Sequence, residues 1–128
     1  MANDWLPTLK HYLRNKGYAL TPNQDCYDII SPLGKHALCN LRWKTKPVWG
    51  RIAKRWEWSI PLEAWQRYIQ TSVKLLFVFE KSSGVIHCAK LQEIKPDARV
   101  YLGDDLDRGG TIFLPTKGYA QVGKIETN

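Results

Sequence analysis

The first hydrophobic pattern along the chain has the spacing of an amphipathic helix. Leu6, Leu9 and Leu13 recur three and four residues apart, so they share one face of a helix that we predict over residues 5–16. Gly17 stands where a glycine can end a helix in the left-handed conformation. The pattern therefore predicts a helix with one apolar face, which packs on the rest of the fold.

The following segments have the two-residue alternation of β-strands. Residues 18–21 and 27–31 are short extended runs, and the Ser-Pro-Leu-Gly sequence after the second predicts a turn into a strand at 36–46. Every second residue of that strand is apolar, so one of its faces is predicted to lie in the core. The opposite face carries Asn40, Arg42 and Lys44.

The next segment, 47–60, mixes tryptophan with basic residues and has no clean period. We expect an irregular or flap-like excursion that ends in a short strand at 56–60. Tryptophan is most often a core residue, and Trp43 and Trp65 share faces with apolar neighbours. Trp49 and Trp56 are therefore the candidates for surface contacts.

The second half of the chain predicts a helix at 61–70 and then a strand at 74–80. That strand contains five consecutive apolar residues, as is typical of a central strand covered on both faces. A further strand, in a hairpin, is predicted at 85–89. Residues 91–110 are predicted to be rich in loops and include the solvated acidic cluster Asp104, Asp105 and Asp107. The segments 111–115 and 119–122 are predicted as edge strands or an extended tail.

This order of elements predicts an α/β (α+β) fold with a single mixed β-sheet flanked by helices. The 128 residues and 14.8 kDa fit one domain over residues 1–128. The chain has no apolar run long enough to cross a membrane and no basic-then-apolar order of a signal peptide, so we expect a cytoplasmic protein without membrane association. Its three cysteines have no metal-site spacing, which argues against a zinc site or a disulfide framework.

The charge of the chain is unevenly distributed. The formal net charge is +7, and residues 1–60 hold ten basic and four acidic side chains. Between Asp28 and Glu57 the sequence contains seven basic residues and no acid. Such a stretch attracts polyanions, above all phosphate backbones, although a basic face that only keeps the protein soluble has the same pattern.

The order of these features resembles the PD-(D/E)XK nuclease superfamily, which includes Holliday-junction resolvases and many restriction enzymes. The resemblance rests on the Gly17-Tyr18 step after the first helix, on Asp28 within an apolar strand, and on a strand that ends in Arg42-Trp43-Lys44. It implies an αβββαβ core over residues 1–90 and a β-rich extension over 91–128. It also implies that Asp28 and Lys44 are catalytic and that Asp28 is a ligand of Mg²⁺.

The sequence departs from the superfamily pattern at Arg42, which stands where the middle acidic residue is expected. A guanidinium cannot ligate Mg²⁺. Three alternatives remain open: Asn40 supplies an oxygen ligand, a carboxylate comes from Glu57, Glu63 or Glu80, or Arg42 and Lys44 form a phosphate-binding patch. The chain is thus either an atypical Mg²⁺-dependent endonuclease with an incomplete acidic site or a catalytically decayed relative.

Either interpretation predicts a nucleic-acid partner, with DNA favoured over RNA. Asp28 also has a purely structural interpretation, as an ion pair with Arg42 or Lys44 across the hairpin. The residues predicted to contact nucleic acid are Arg42, Lys46, Arg51, Lys54, Arg55 and Trp49.

A second hypothesis is a non-enzymatic protein-interaction or accessory module with the same fold. Aromatic and arginine residues are enriched in the energetic centres of protein interfaces, so segment 47–60 would then be the contact surface. The superfamily resemblance also allows a homodimer.

Overall fold

The computed structural model of the chain describes residues 5–95, 98–101 and 110–126. Its helices and strands, in chain order, are α1 (Trp5–Asn15), β1 (Ala19–Asn23), β2 (Cys26–Ile30), β3 (His36–Lys44), β4 (Val48–Gly50), β5 (Arg55–Pro61), α2 (Leu62–Gln70), β6 (Leu75–Glu80), β7 (Val85–Lys90), α3 (Leu91–Ile94), β8 (Arg99–Tyr101), β9 (Thr111–Pro115), a 3₁₀ turn (Thr116–Gly118) and β10 (Ala120–Lys124).

The larger sheet has six strands in the order β1-β2-β3-β6-β7-β10. Strands β3 and β6 are parallel, and the other neighbours are antiparallel, so the sheet is mixed. Four of the six β6 residues are buried, which confirms the predicted central strand. The fold is therefore α+β with a mixed sheet, as the element order predicts.

A second sheet was not predicted. It has four strands in the order β4-β5-β9-β8, so the expectation of a single sheet is wrong. Segment 47–60 forms the regular hairpin β4–β5 rather than an irregular excursion, and β9 lies inside this sheet rather than at an edge. The physical reason is that β5 and β9 bury alternate apolar side chains, among them Trp58 and Leu114.

The two faces of the larger sheet pack against different partners. On one face, Leu9 and Leu13 of α1 lie in a core with Phe77 and Phe79 of β6. On the other face, α2 and the second sheet pack over Leu76 and Val78, the intervening β6 residues. Because β3 alternates in the same way, Asn40, Arg42 and Lys44 lie on the face that α2 covers.

The acidic cluster Asp104, Asp105 and Asp107 lies outside the described residues. Within the described ranges, no helix combines the length and the apolar character that are needed to cross a membrane.

Candidate functional site

The structure places Asp28 away from Lys44. Asp28 lies opposite Leu38 in the β2–β3 hairpin, and Lys44 is six residues farther along β3, roughly 20 Å at the rise of a strand. The carboxylate of Asp28 instead contacts His36 Nε2 at 3.3 Å and accepts a hydrogen bond from Asn23 Nδ2 at 3.2 Å. The expected pairing of Asp28 with Arg42 or Lys44 is therefore wrong, because the register brings the beginning of β3 to this carboxylate.

The surroundings of Asp28 do not fit a Mg²⁺ ion. One of its oxygens faces His36 and the other accepts from Asn23. Among the described residues, no group of three or more His, Cys, Asp or Glu side chains is placed to hold a metal. Magnesium stays a prediction of the superfamily resemblance.

The alternative oxygen donors are also engaged or distant from Asp28. Asn40 Oδ1 accepts a hydrogen bond from the backbone N–H of Leu41 at 2.8 Å, and Asn40 Nδ2 donates to the carbonyl of Asp25 at 3.0 Å. Glu57 and Glu80 are bonded to side chains on β5, β7 and β8. Glu63 is exposed on α2. None of these side chains completes an acidic site with Asp28.

Arg42 lines a polar pocket between the β2–β3 hairpin and α2. The pocket has a volume of about 370 Å³ and contains two guanidinium groups, Arg42 and Arg67, and one carboxylate, Asp25. Arg42 Nη1 donates to the hydroxyl of Tyr68 at 3.0 Å, which orients the guanidinium. We call the pocket formed by Asp25, Asn40, Arg42, Arg67 and Tyr68 the arginine pocket.

The arginine pocket has the chemistry of an anion site. Arg67 is exposed, and its guanidinium forms no hydrogen bond or ion pair with any described residue. A guanidinium presents a planar set of donors that matches two oxygens of a phosphate, and Arg42 and Arg67 line the same 370 Å³ space. Asp25 offsets one of the two positive charges, so the pocket favours one phosphate over a cluster of them.

Lys44 lies next to Arg42 on the same face of β3. It is half-buried, and burial, followed by the charge of Arg42, lowers the pKa of its ammonium. The lysine is thus a second cation on the polar side of the strand, close to the arginine pocket. It occupies the position opposite Glu80 of β6.

Arg55 has a structural role that differs from the prediction. Its Nε donates to Glu57 Oε2 at 2.9 Å, while Arg99 Nη2 donates to Glu57 Oε1 at 2.7 Å. Glu57 is fully buried, and a side chain at Gly50 would overlap its carboxylate. Arg55 therefore neutralises a buried acid, and its prediction as a phosphate contact is not supported by this arrangement.

The β4–β5 hairpin presents two tryptophans at the surface. Trp49 and Trp56 are cross-strand partners with ring centroids 5.3 Å apart in an edge-to-face arrangement. Their exposed fractions are 50% and 53%, whereas Trp58 and Trp65 are buried at 1% and 7%. The separation of surface from core tryptophans is confirmed for Trp49, Trp56 and Trp65.

Three exposed cations adjoin this pair along the chain. Lys46 precedes β4, and Arg51 and Lys54 occupy the turn between β4 and β5. None of the three forms an ion pair within the described part of the chain. We call residues 46–56 the aromatic hairpin.

Sequence patterns missed the contribution of α2 to the site. Tyr68 and Arg67 are adjacent polar-ended residues in a helix, and the periodicity of α2 identifies its buried side without showing what Tyr68 contacts. Only the packing of α2 over β3 brings Tyr68 to Arg42.

Comparisons of the chain with protein-family models, with curated proteins and with solved structures find no match.

Proposed function

We propose that this protein binds nucleic acid, with unpaired bases stacked on the aromatic hairpin and a backbone phosphate in the arginine pocket. The observation that carries the proposal is the half-exposed Trp49–Trp56 pair beside cations that have no acidic partner in the described part of the chain. Stacking of a base on an aromatic side chain contributes about 1–3 kcal/mol, and it needs an exposed ring face. Lys46, Arg51 and Lys54 supply the accompanying attraction for phosphates.

The topology supports the superfamily resemblance as part of this proposal. A helix, an antiparallel three-stranded unit, a second helix and a strand parallel to β3 occur in the order expected for an αβββαβ core, with the β4–β5 hairpin of the second sheet inserted before the second helix. The acid and lysine that would act on a metal lie on separate parts of the hairpin. We therefore favour a relative that retains nucleic-acid binding and has lost cleavage, with DNA as the preferred partner.

Fluorescence anisotropy with a labelled single-stranded DNA tests the binding. The double variant Trp49→Ala/Trp56→Ala is expected to bind at least about 5-fold more weakly, as the loss of one stacked base implies. Leu33→Ala, at an 88% exposed position in the β2–β3 turn, is the matched control and should bind like the wild type. Equal affinity of the double variant and the wild type would contradict the proposed interface.

Salt dependence provides an independent readout of the phosphate contacts. The logarithm of the binding constant is expected to fall linearly with the logarithm of salt concentration, with a slope of about −0.7 for each phosphate contacted on a single strand. A flat response to salt would exclude Lys46, Arg51 and Lys54 as phosphate ligands.

The cleavage alternative is tested separately. Plasmid and branched DNA are incubated with the protein in Mg²⁺ or Mn²⁺, and wild type is compared with Asp28→Ala. We expect no cleavage above the buffer control. Cleavage that depends on Asp28 would show that the active site assembles in a way that differs from the hairpin register.

A second candidate function is supported by the apolar side chains of the same hairpin. Val48 is 41% exposed and Ile52 is 78% exposed, and large exposed apolar side chains beside tryptophan are typical of a protein interface. If the hairpin mediates self-association, light scattering will show a dimer that Ile52→Asp dissociates. A monomer at all concentrations argues against the homodimer and leaves the nucleic-acid proposal in place.

A further inference from the structure

A second cleft lies beside the aromatic hairpin, and it contains a histidine that the site described above does not use. The cleft is lined by Lys46, Trp56 and Trp58 from one side and by Glu80 and His87 from the larger sheet, with Thr116 and Pro47 at its margin. Its volume is about 340 Å³. We call it the histidine cleft.

The polar base of the cleft is rigidly held. Glu80 Oε1 and His87 Nε2 are 2.9 Å apart, and Ser82 Oγ donates to the other carboxylate oxygen at 3.0 Å. The ring of Trp58 lies 5.2 Å from that of His87. These contacts fix the imidazole and leave its Nδ1 without a partner among the described residues.

The indole of Trp58, whose ring packs near His87, has an N–H without a partner. Trp58 is 1% exposed, and its Nε1 is buried without a hydrogen-bond acceptor in the described part of the chain. A buried donor without an acceptor is costly, so such groups are uncommon and call for an explanation. This N–H is not accessible from the cleft, so we assign the hydrogen bond to a ligand to His87 and not to Trp58.

The charges of the cleft indicate which end of a ligand would lie where. Glu80 makes the inner end unfavourable for an anion, whereas Lys46 is exposed at the rim and attracts one. The exposed indole ring of Trp56 lines the space between them. The arrangement suits a flat, neutral, hydrogen-bonding ring that is linked to a phosphate.

We infer that the histidine cleft is a subsite for a single unpaired nucleobase. In this assignment the base lies against Trp56, its edge is bonded by His87 Nδ1, and its phosphate contacts Lys46. This inference rests on the proposed nucleic-acid binding and deepens it, because it names the position of a single base.

The spacing of the arginine pocket and the histidine cleft supports the binding of one nucleic-acid strand to both. Arg42 pairs with Val78 and Val78 pairs with His87, so the three residues form one row across the sheet. Two strand spacings separate Arg42 from His87, about 10 Å between their backbones. Trp56, which belongs to the Trp49 pair, lines the cleft and so connects it to the aromatic hairpin.

The test is competition between mononucleotides and a labelled single-stranded DNA, read by anisotropy. Thymidine 5′-monophosphate or adenosine 5′-monophosphate at millimolar concentration is expected to displace the oligonucleotide, and ribose 5-phosphate should be at least about 10-fold less effective because it lacks the base. Direct binding should also quench tryptophan fluorescence.

Two variants locate the subsite. His87→Ala and, as a rim variant that leaves the packed interior intact, Lys46→Met are each expected to weaken mononucleotide binding about 3-fold to 10-fold. His36→Ala is the matched control, because His36 is exposed, lies at the Asp28 end of β3 and should leave mononucleotide binding unchanged.

The outcomes separate this inference from the proposed function. If the oligonucleotide binds but mononucleotides do not compete, and His87→Ala binds the oligonucleotide like the wild type, the subsite is overturned and the nucleic-acid interface stands. If ribose 5-phosphate competes as well as a mononucleotide, the site recognises phosphate alone, which also overturns it. If the wild type binds no oligonucleotide at all, both proposals fail.

Discussion

Two pairs of arginines in this fold have opposite surroundings. Arg55 and Arg99 both donate to Glu57, a carboxylate that is completely buried. Arg42 and Arg67 line an open pocket, where Arg42 contacts the neutral hydroxyl of Tyr68. The first pair is committed to stabilising the second sheet, and the second pair is available to an anion.

The difference shows how little the density of positive charge says about the role of each residue. Arg42 and Arg55 belong to the same acid-free stretch of sequence, which ends at Glu57. What separates them is the acid that bounds the stretch, since Glu57 follows Arg55 by two residues on one strand and shares its face. A counter-ion within the fold converts a candidate ligand-binding arginine into a structural one.

The largest expected effect comes from removing the shared acid. Glu57→Gln leaves Arg55 and Arg99 with unneutralised charges, and we expect the free energy of unfolding to fall by roughly 3 kcal/mol. Urea denaturation measures it. Glu63→Gln, at an exposed position on α2, is the control and should change the free energy by less than about 0.5 kcal/mol.

An unchanged midpoint for Glu57→Gln would mean that the two guanidinium groups are stabilised without the carboxylate. The contrast between the arginine pairs would then be lost. In the expected case, the folded fraction of the variant still binds single-stranded DNA with wild-type affinity, because Glu57 is fully buried and does not line the arginine pocket.

The second prediction contrasts a variant that loses affinity with a variant that loses stability. Arg42→Gln should weaken DNA binding about 5-fold to 10-fold and reduce the salt slope by about 0.7, as the loss of one phosphate contact requires. Arg55→Gln should instead lower the unfolding free energy by about 2 kcal/mol with little change in affinity. Anisotropy titrations at several salt concentrations, together with urea denaturation, measure both quantities.

Arg14→Gln is the matched control for this pair of variants. Arg14 lies on α1, on the opposite face of the sheet, and donates to the carbonyl of Leu20 at 3.1 Å. If Arg14→Gln weakens binding as much as Arg42→Gln, the effect reflects net charge alone, and the arginine pocket has no special role.

A smaller effect is expected from the group that orients Arg42. Tyr68→Phe removes the hydroxyl that accepts from Arg42 Nη1 and keeps the ring in its buried position. We expect about a 3-fold loss of DNA affinity, in line with about 0.5–1.5 kcal/mol for one hydrogen bond, and an unchanged salt slope. A reduced slope would mean that Tyr68 itself alters the number of phosphate contacts.

Local patterns in the sequence were sufficient for much of the larger sheet. The helix at Trp5–Asn15, the β2–β3 hairpin and the buried strand β6 each follow from spacing within one short segment. The second sheet could not be predicted in this way. Its central pairing joins Trp58 of β5 to Leu114 of β9, more than fifty residues away, and such pairing leaves no local signal.

For the candidate site, too, the features set by local sequence could be predicted and those set by the fold could not. Arg42 and Lys44 were correctly predicted to share one face of β3, because strand alternation is local. The register that separates Asp28 from Lys44 and the position of Arg99 beside Glu57 depend on how segments meet in space. Sequence alternation therefore identified the polar face, and only the fold showed which charges on it are neutralised.

The smallest expected effect concerns Lys44, the cation beside Arg42. Burial and the charge of Arg42 lower the pKa of Lys44 from its ordinary value of 10.5, so the charged form is less favourable in the folded than in the unfolded chain. This penalty is present at neutral pH, decreases as the pH rises through the lowered pKa, and vanishes above 10.5. Lys44→Met should therefore raise the urea midpoint modestly at pH 7 relative to wild type, and Lys74→Met, at an exposed position before β6, should not. This rise in the urea midpoint should shrink when the measurement is repeated toward pH 10.5. A rise that grows with pH would show that a partner stabilises Lys44 in its charged form. Lys44 would then resemble Arg55 and Arg99 rather than Arg42.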